Sequence, residues 1–181
     1  MNKLRLACLG VALSAASFST LALQGGVDAG EHFTHLQLGM GNDSPGVALS
    51  GEWMKSDHDG NFGNLGLNYG IGSESWMISP GAKVLFTNPK DSHEGYAVAF
   101  GGDGLFALTS AIRLYGQYYW SPESMSAHSD GFHQASAGVS IRPISLLDVR
   151  VGYKYVAING KDGRKDNVLA DGPYIGASLH F

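Results

Sequence analysis

The chain carries seven histidines and sixteen acidic residues, and their spacing limits what chemistry they can do. His32 and His35 lie three apart beside a segment of period two. That spacing places them on opposite faces of a strand and argues against joint metal ligation. His58, His93 and His128 fall in separate polar segments beside Asp57, Asp59, Glu94 and Asp130. Gathered at one mouth they could hold a cation; polar solvated loops are the ordinary alternative. His128-Ser129-Asp130 supplies the residue types of a lipid hydrolase or acyltransferase, but adjacent residues cannot form a triad among themselves. No Gly-x-Ser-x-Gly elbow is present. Asn159–Asn167 resembles a calcium loop only loosely, since Asp162 and Asp166 are four apart and no Glu completes a twelve-residue loop. No catalytic residue, metal site or cofactor follows from these groups.

A second set of charges is more regular. Glu52, Lys83, Asp103, Arg113, Asp148, Arg150 and Lys154 each sit in a stretch where polar or small residues alternate with apolar ones, and always on the polar side. The apolar sides carry no charge and hold Trp53, Tyr69, Trp76, Trp120, Tyr153 and Tyr155, many near the ends of their stretches. The last eight residues follow the same rule, with Ile175, Ala177, Leu179 and Phe181 alternating with Tyr174, Gly176, Ser178 and His180.

Alternation of this kind is the mark of β-strands with two unlike faces. From His32 onward nine strands are expected: His32–Gly41, Val47–Lys55, Phe62–Ile71, Trp76–Phe86, Gly95–Phe106, Ala111–Trp120, Phe132–Ile141, Leu146–Ile158 and Tyr174–Phe181. A weaker Leu21–Val27 strand, ahead of a turn-like Asp28–Glu31, makes ten. Pro80 cannot donate to a ladder, so a bulge or local break is expected there. Most segments run to about 10 residues, the length a tilted strand needs to cross a bilayer, and no sustained helical period appears. Connections at Asn42, Gly72, Ala107 and Arg142 look short, and those at Ser56, Thr87, Ser121 and Asn159 longer, the last running to Gly172. Outer-membrane barrels have short periplasmic turns and longer outer loops.

The expected fold is therefore all-β, an antiparallel transmembrane up-and-down β-barrel. Ten strands are preferred because single-chain bacterial barrels have an even number. Eight is the runner-up, with one segment around Pro80 or Gly101 misassigned, and a soluble two-sheet sandwich is the rival architecture. In the barrel, the seven charges form a lumen network, since a basic residue facing lipid at mid-depth costs about 2–4 kcal/mol. Inside a narrow barrel they can pair or meet water. The six rings, with Phe181, form aromatic girdles at the membrane surfaces.

The ends of the chain fit that class. A basic start through Lys3 and Arg5, an apolar acid-free run from Leu6 to Leu21, and Thr20-Leu21-Ala22 form the plan of a secretory leader, giving a signal peptide over 1–22 and a barrel over 23–181. Cys8 lies inside the leader, and Arg5 three residues before it argues against lipidation. Removing Lys3 and Arg5 takes the twelve basic residues to ten against sixteen acidic ones, which argues against a nucleic-acid partner. A strand ending the chain on Phe resembles the terminal signature of bacterial outer-membrane proteins.

A further set of short stretches runs along the chain: Leu23-Gln24-Gly25-Gly26, Gly30-Glu31-His32-Phe33-Thr34, Ala48-Leu49-Ser50-Gly51 with Trp53-Met54, and Thr87-Asn88-Pro89-Lys90. Glu94-Gly95-Tyr96, Ser121-Pro122, Gly152-Tyr153, Gly160-Lys161-Asp162-Gly163 and Ala170-Asp171-Gly172 continue them, over nearly the whole mature chain. In these stretches the sequence resembles the YfaZ family of outer-membrane proteins of Gram-negative bacteria. The resemblance implies location and barrel class and transfers no reaction, ligand or site residue. A structural or narrow-pore barrel without a cofactor is the leading expectation. Its partners would be outer-membrane lipid, the assembly machinery, and lipopolysaccharide phosphates touched by Lys161, Arg164 and Lys165. The alternatives are an adhesion barrel acting through the Ser121 and Asn159 loops and a lipid-modifying enzyme.

Overall fold

The computed structural model describes residues 22–89, 94–127, 129–160 and 165–181. The leader up to Leu21, with Cys8, lies outside them, as do His93, His128, Lys161, Asp162 and Arg164. Ten antiparallel strands close into one barrel: β1 Leu23–Gly30, β2 Phe33–Met40, β3 Gly46–Ser56, β4 Gly60–Ser73, β5 Trp76–Pro89, β6 Gly95–Ala107, β7 Ile112–Pro122, β8 Ser129–Ile144, β9 Leu147–Gly160 and β10 Asn167–His180. The eight-strand and sandwich alternatives are thereby overturned. Each strand pairs with its neighbours in sequence, and β1 meets β10 from Gln24 opposite His180 to Gly30 opposite Tyr174. Leu23 and Phe181 exchange backbone bonds of 3.1 and 2.8 Å, so the pairing of first and last strands runs to the final residue.

The alternation predicts the faces correctly. Leu36, Leu38, Leu65, Leu67, Ile78, Val84, Val151 and Ile175 point outward and are exposed. Their neighbours in the chain turn the other way: Asn64, Asn68 and Lys83 face the lumen, as does Lys154 between Tyr153 and Tyr155, and each is buried. The outward surface is a hydrocarbon belt rimmed by rings. Tyr69, Trp76, Phe106 and Phe181 lie toward the end that holds both termini, and Trp53, Phe86, Tyr96, Phe100, Trp120 and Tyr155 toward the opposite, loop end. Several pair across strands, as Trp76 with Phe106 and Phe86 with Tyr96 do. The outer face is not as wholly free of charge as the sequence implies: Lys55, on the face of Trp53, and Asp130 and Asp171 point outward, all near the loop end, and the Asp171 carboxylate accepts the Tyr153 hydroxyl at 2.7 Å.

The strands outrun their predicted ends. β1 continues through Asp28, which alternation places inside; the Asp-Ala-Gly signal for a turn is overridden by ladders on both sides. Arg142, expected in a turn, belongs to β8, and the turn falls after Ile144. β10 starts at Asn167, well inside the stretch expected as the longest loop. The Ser56 connection shrinks to 57–59, shorter than the 41–45 turn at the other end, so the short–long alternation holds less sharply than the sequence implies. Polar residues at the ends of barrel strands face water or the lumen, so polarity there does not mark a loop. At Pro80 the ladder with β4 omits the rungs of Tyr69 and Gly70 and resumes in the same register, while the ladder with β6 stays continuous through Pro80 opposite Gly102.

Inside, side chains are layered along the axis. Toward the loop end Phe33, Met54, Phe62, Leu85, Phe132, Val156 and Leu169 pack into an apolar cluster that also takes in Tyr119. Phe62 and Phe132 meet edge to face with centroids 5.5 Å apart. Toward the terminal end the lining turns polar around a vestibule of about 1200 Å³, open solvent at its mouth included.

Replacing outward-facing Leu65, mid-way along β4 and 66% exposed, with Arg is expected to cost about 2–4 kcal/mol of barrel stability in lipid. A urea titration of the barrel folded in vesicles measures it; an unchanged midpoint would contradict the lipid-facing assignment.

Candidate functional site: the charged lumen

Two carboxylates organise the layer beneath the apolar cluster. Asp28, 1% exposed, accepts from Arg150 Nε at 2.9 Å, Lys154 Nζ at 2.8 Å and Gln37 Nε2 at 3.1 Å. Glu52 accepts from Lys83 Nζ at 2.7 Å and from Asn64 and Gln134 side-chain amides, both at 2.9 Å. His35 stands between them. Its Nδ1 lies 2.7 Å from Lys154 Nζ and 3.0 Å from Asp28, and its Nε2 faces Glu52 at 3.5 Å. If Nδ1 accepts from the ammonium, the ring proton sits on Nε2, toward Glu52. The two buried lysines also rest on rings: Lys83 Nζ is 3.9 Å from the Tyr119 centroid and Lys154 Nζ 4.7 Å from that of Tyr174.

A third carboxylate, Asp103, has only neutral donors. It accepts from Gln117 Nε2 and Tyr119 Oη at 2.9 Å each and from Asn68 Nδ2 at 2.6 Å, and Asn68 also bonds the Tyr119 hydroxyl. The Asn68 amide donates to Ser79 O as well, next to the interrupted ladder at Pro80. Nearest the termini, Arg142 bonds Asp148 at 3.1 Å and Asp43 of the 41–45 turn at 3.0 Å, and His180 Nδ1 lies 3.0 Å from the same Asp43 oxygen. The turn is thus tied across the mouth to β8 and β10.

All seven charges expected in the lumen face inward. Glu52 with Lys83, Asp28 with Arg150 and Lys154, Asp103 with its amides, and Asp148 with Arg142 form connected groups. Arg113 lines the vestibule without joining any of them. Sequence reasoning missed Asp28, His35, Asp43, Arg142 and His180, the first because Gly25-Gly26 and Gly30 made its segment resemble a turn. Continuing the alternation of β1 through Gln24, Gly26 and Asp28, with Leu23, Gly25 and Val27 on the other face, would have found it. The rings Trp53, Tyr69, Trp76, Trp120, Tyr153, Tyr155 and Phe181 are all exposed on the outer wall. Of the three loop histidines that could meet at one mouth, His58 meets His32 edge to face at 5.6 Å, and His93 and His128 lie outside the described residues. Ser129 is buried and Asp130 exposed, on opposite faces of β8. In the supposed calcium loop, Asn159 and Gly160 end β9, and the Asp166 carboxylate accepts the Gly160 N–H at 2.9 Å.

The family described as YfaZ precursor matches residues 1–181. The chain belongs to the YfaZ family. Outer membrane protein YfaZ of Escherichia coli (strain K12) is 37% identical over 182 residues, covering 100% of both chains. Two solved structures are similar at lower likeness. The NanC porin has TM-score 0.46 and 13% identity over 88% of this chain and 97% of its own. The KdgM porin has TM-score 0.48 and 13% identity over 88% and 99%. This YfaZ-family chain is an outer-membrane protein with a small ten-stranded barrel.

Asp28→Asn is expected to destabilise the barrel by about 3–5 kcal/mol, because Lys154 and Arg150 stay buried without their counter-charge. The shift of the urea midpoint, or of the temperature at which the folded band is lost in a heat-modifiability gel, measures it.

Proposed function

We propose that the protein is a structural, closed outer-membrane barrel that does not conduct in its resting form. The observation that supports this is the apolar cluster across the loop-end half of the lumen, where Phe62, Leu85, Tyr119, Phe132 and Val156 are all 0% exposed. A ten-stranded barrel has an interior that side chains can largely fill. Here the polar layer below is also knitted together, with Glu52 and Asp28 reaching donors from several strands. A hydrated path needs an unblocked course, and on the loop-end side the packed rings and aliphatic side chains of the cluster interrupt it.

In this reading residues 1–22 are a leader removed on export, and the short turns and both termini face the periplasm, as in barrels of this class. The apolar cluster then seals the outward side and the vestibule opens inward. The hydrocarbon belt meets acyl chains, with the two sets of rings at the headgroups. Lys165, with Lys161 and Arg164 beyond the described residues, supplies charges for lipopolysaccharide phosphates. The strand ending in Phe181 is what the outer-membrane assembly machinery would engage. The barrel works without a cofactor or a catalytic centre.

Planar-bilayer recording tests the reading. The wild-type barrel is expected to be electrically silent. The double variant Phe62→Ala, Phe132→Ala, which hollows the cluster while sparing every ion pair, is expected to give steady single-channel steps. Steady conductance by the wild type would reject the closed state.

A further inference from the structure

Not every polar group of the vestibule is used. Its carboxylates are supplied with donors: Asp28 by Arg150 and Lys154, Glu52 by Lys83, Asp103 by Gln117 and Tyr119, Asp43 and Asp148 by Arg142. Two oxygens of this set have no donor among the described residues: Asp148 Oδ1, which is shut away from solvent, and Asp43 Oδ1 in the 41–45 turn, whose carboxylate Arg142 and His180 already hold through Oδ2. The spare capacity is of the opposite kind. Arg113 lines the vestibule, half-buried, with no hydrogen bond or ion pair among the described residues. Arg150 spends only Nε on Asp28; its Nη2 is packed, unpartnered, where a Cβ on Gly26 would sit, and Nη1 remains.

These two arginines stand on one rung of the sheet. Arg113 is opposite Ser140, and Ser140 is opposite Arg150. Two strand spacings set the arginine Cα atoms roughly 10 Å apart, with the serine between them on the same inward face. The Ser140 hydroxyl lines the vestibule and has no partner among the described residues. One rung deeper, Tyr115 lies over Gly138 and Gly152, where a Cβ at either glycine would strike its hydroxyl, and it bonds Tyr174 Oη at 2.6 Å. That ring roofs the rung. The arrangement is a guanidinium, a hydroxyl and a second guanidinium beneath an aromatic lid, facing water only toward the termini.

We infer that the Arg113–Ser140–Arg150 rung is a binding site for a small oxyanion group, carboxylate or phosphate, entering from the terminal mouth. Guanidinium donors suit both groups because their forked N–H pairs match two oxygens at once. A cation has no free carboxylate there to meet. The inference uses the open vestibule and does not depend on whether the loop-end cluster conducts.

Titration calorimetry on the refolded mature barrel in a nonionic detergent decides it, with inorganic phosphate and acetate as separate probes. Binding of at least one probe is expected, weakened about tenfold or more in Arg113→Ala and less in Arg113→Lys. Arg113 holds up no other side chain, so its variant is expected to keep the wild-type band shift on a heat-modifiability gel. Ser140→Ala gives a second, smaller loss. Preference for phosphate points to a phosphorylated solute, and preference for acetate to a carboxylated one. No heat with either probe, or unchanged affinity in Arg113→Ala, overturns the site. Silence in the bilayer alongside either result leaves the closed barrel standing and rejects the anion site alone.

Discussion

Everything in this molecule depends on leaving no backbone N–H or C=O bare in hydrocarbon. In lipid each unsatisfied group costs several kcal/mol, and a sheet escapes the penalty only by closing on itself. The closure is the pairing of β1 with β10, carried to the reciprocal bonds between Leu23 and Phe181. Closure forces the two faces apart in character. The outer face has to be apolar at the depth of the acyl chains, so charge at that depth is driven inward, and the lumen becomes a narrow space crowded with ionisable groups. The ion layer around Asp28 and Glu52 is the answer to that crowding.

The lumen manages the crowding by division. At the loop end it is filled with hydrocarbon and rings, so no charge there needs a partner. In the middle, two carboxylates each gather three donors, and His35 links the groups. Toward the termini the wall opens into water, where Arg142 is only partly covered and Arg113 is left single. A buried pair adds little net stability over a well-packed apolar pair of the same size, because desolvation offsets attraction. What these pairs fix is registry: Glu52 of β3 is matched to Lys83 of β5, and Asp28 of β1 to Lys154 of β9.

Much of this was legible in the sequence, because a strand's period of two is rigid. Once Trp53 is set outward, Glu52 and Met54 must face in, and the same step places Arg150 against Val149 and Val151. Charge then distinguishes lipid from lumen, since Lys83 and Lys154 have nowhere else to go. Less legible were the strand ends, where the wall is bathed in water and Asp28, Arg142 and Asn167 look like loop residues. Which charges touch was invisible for a further reason. Barrel closure brings together residues far apart in the chain, and no local pattern records that Asp28 faces Lys154, or that Arg113 is passed over. The polar amides Asn68, Gln117 and Gln134, ordinary in composition, became essential donors only once the cylinder had closed.

The tie between β1 and β9 joins residues 122 and 126 apart in the chain. Asp28 emerges early and its basic partners late, so nearly the whole polypeptide must be in place before that acid loses its hydration shell. The clasp therefore belongs to the end of assembly, when the sheet wraps round and the lumen forms. A chain halted before β9 would carry an open seam and a solvated carboxylate, and both mark it as unfinished in a membrane that tolerates neither.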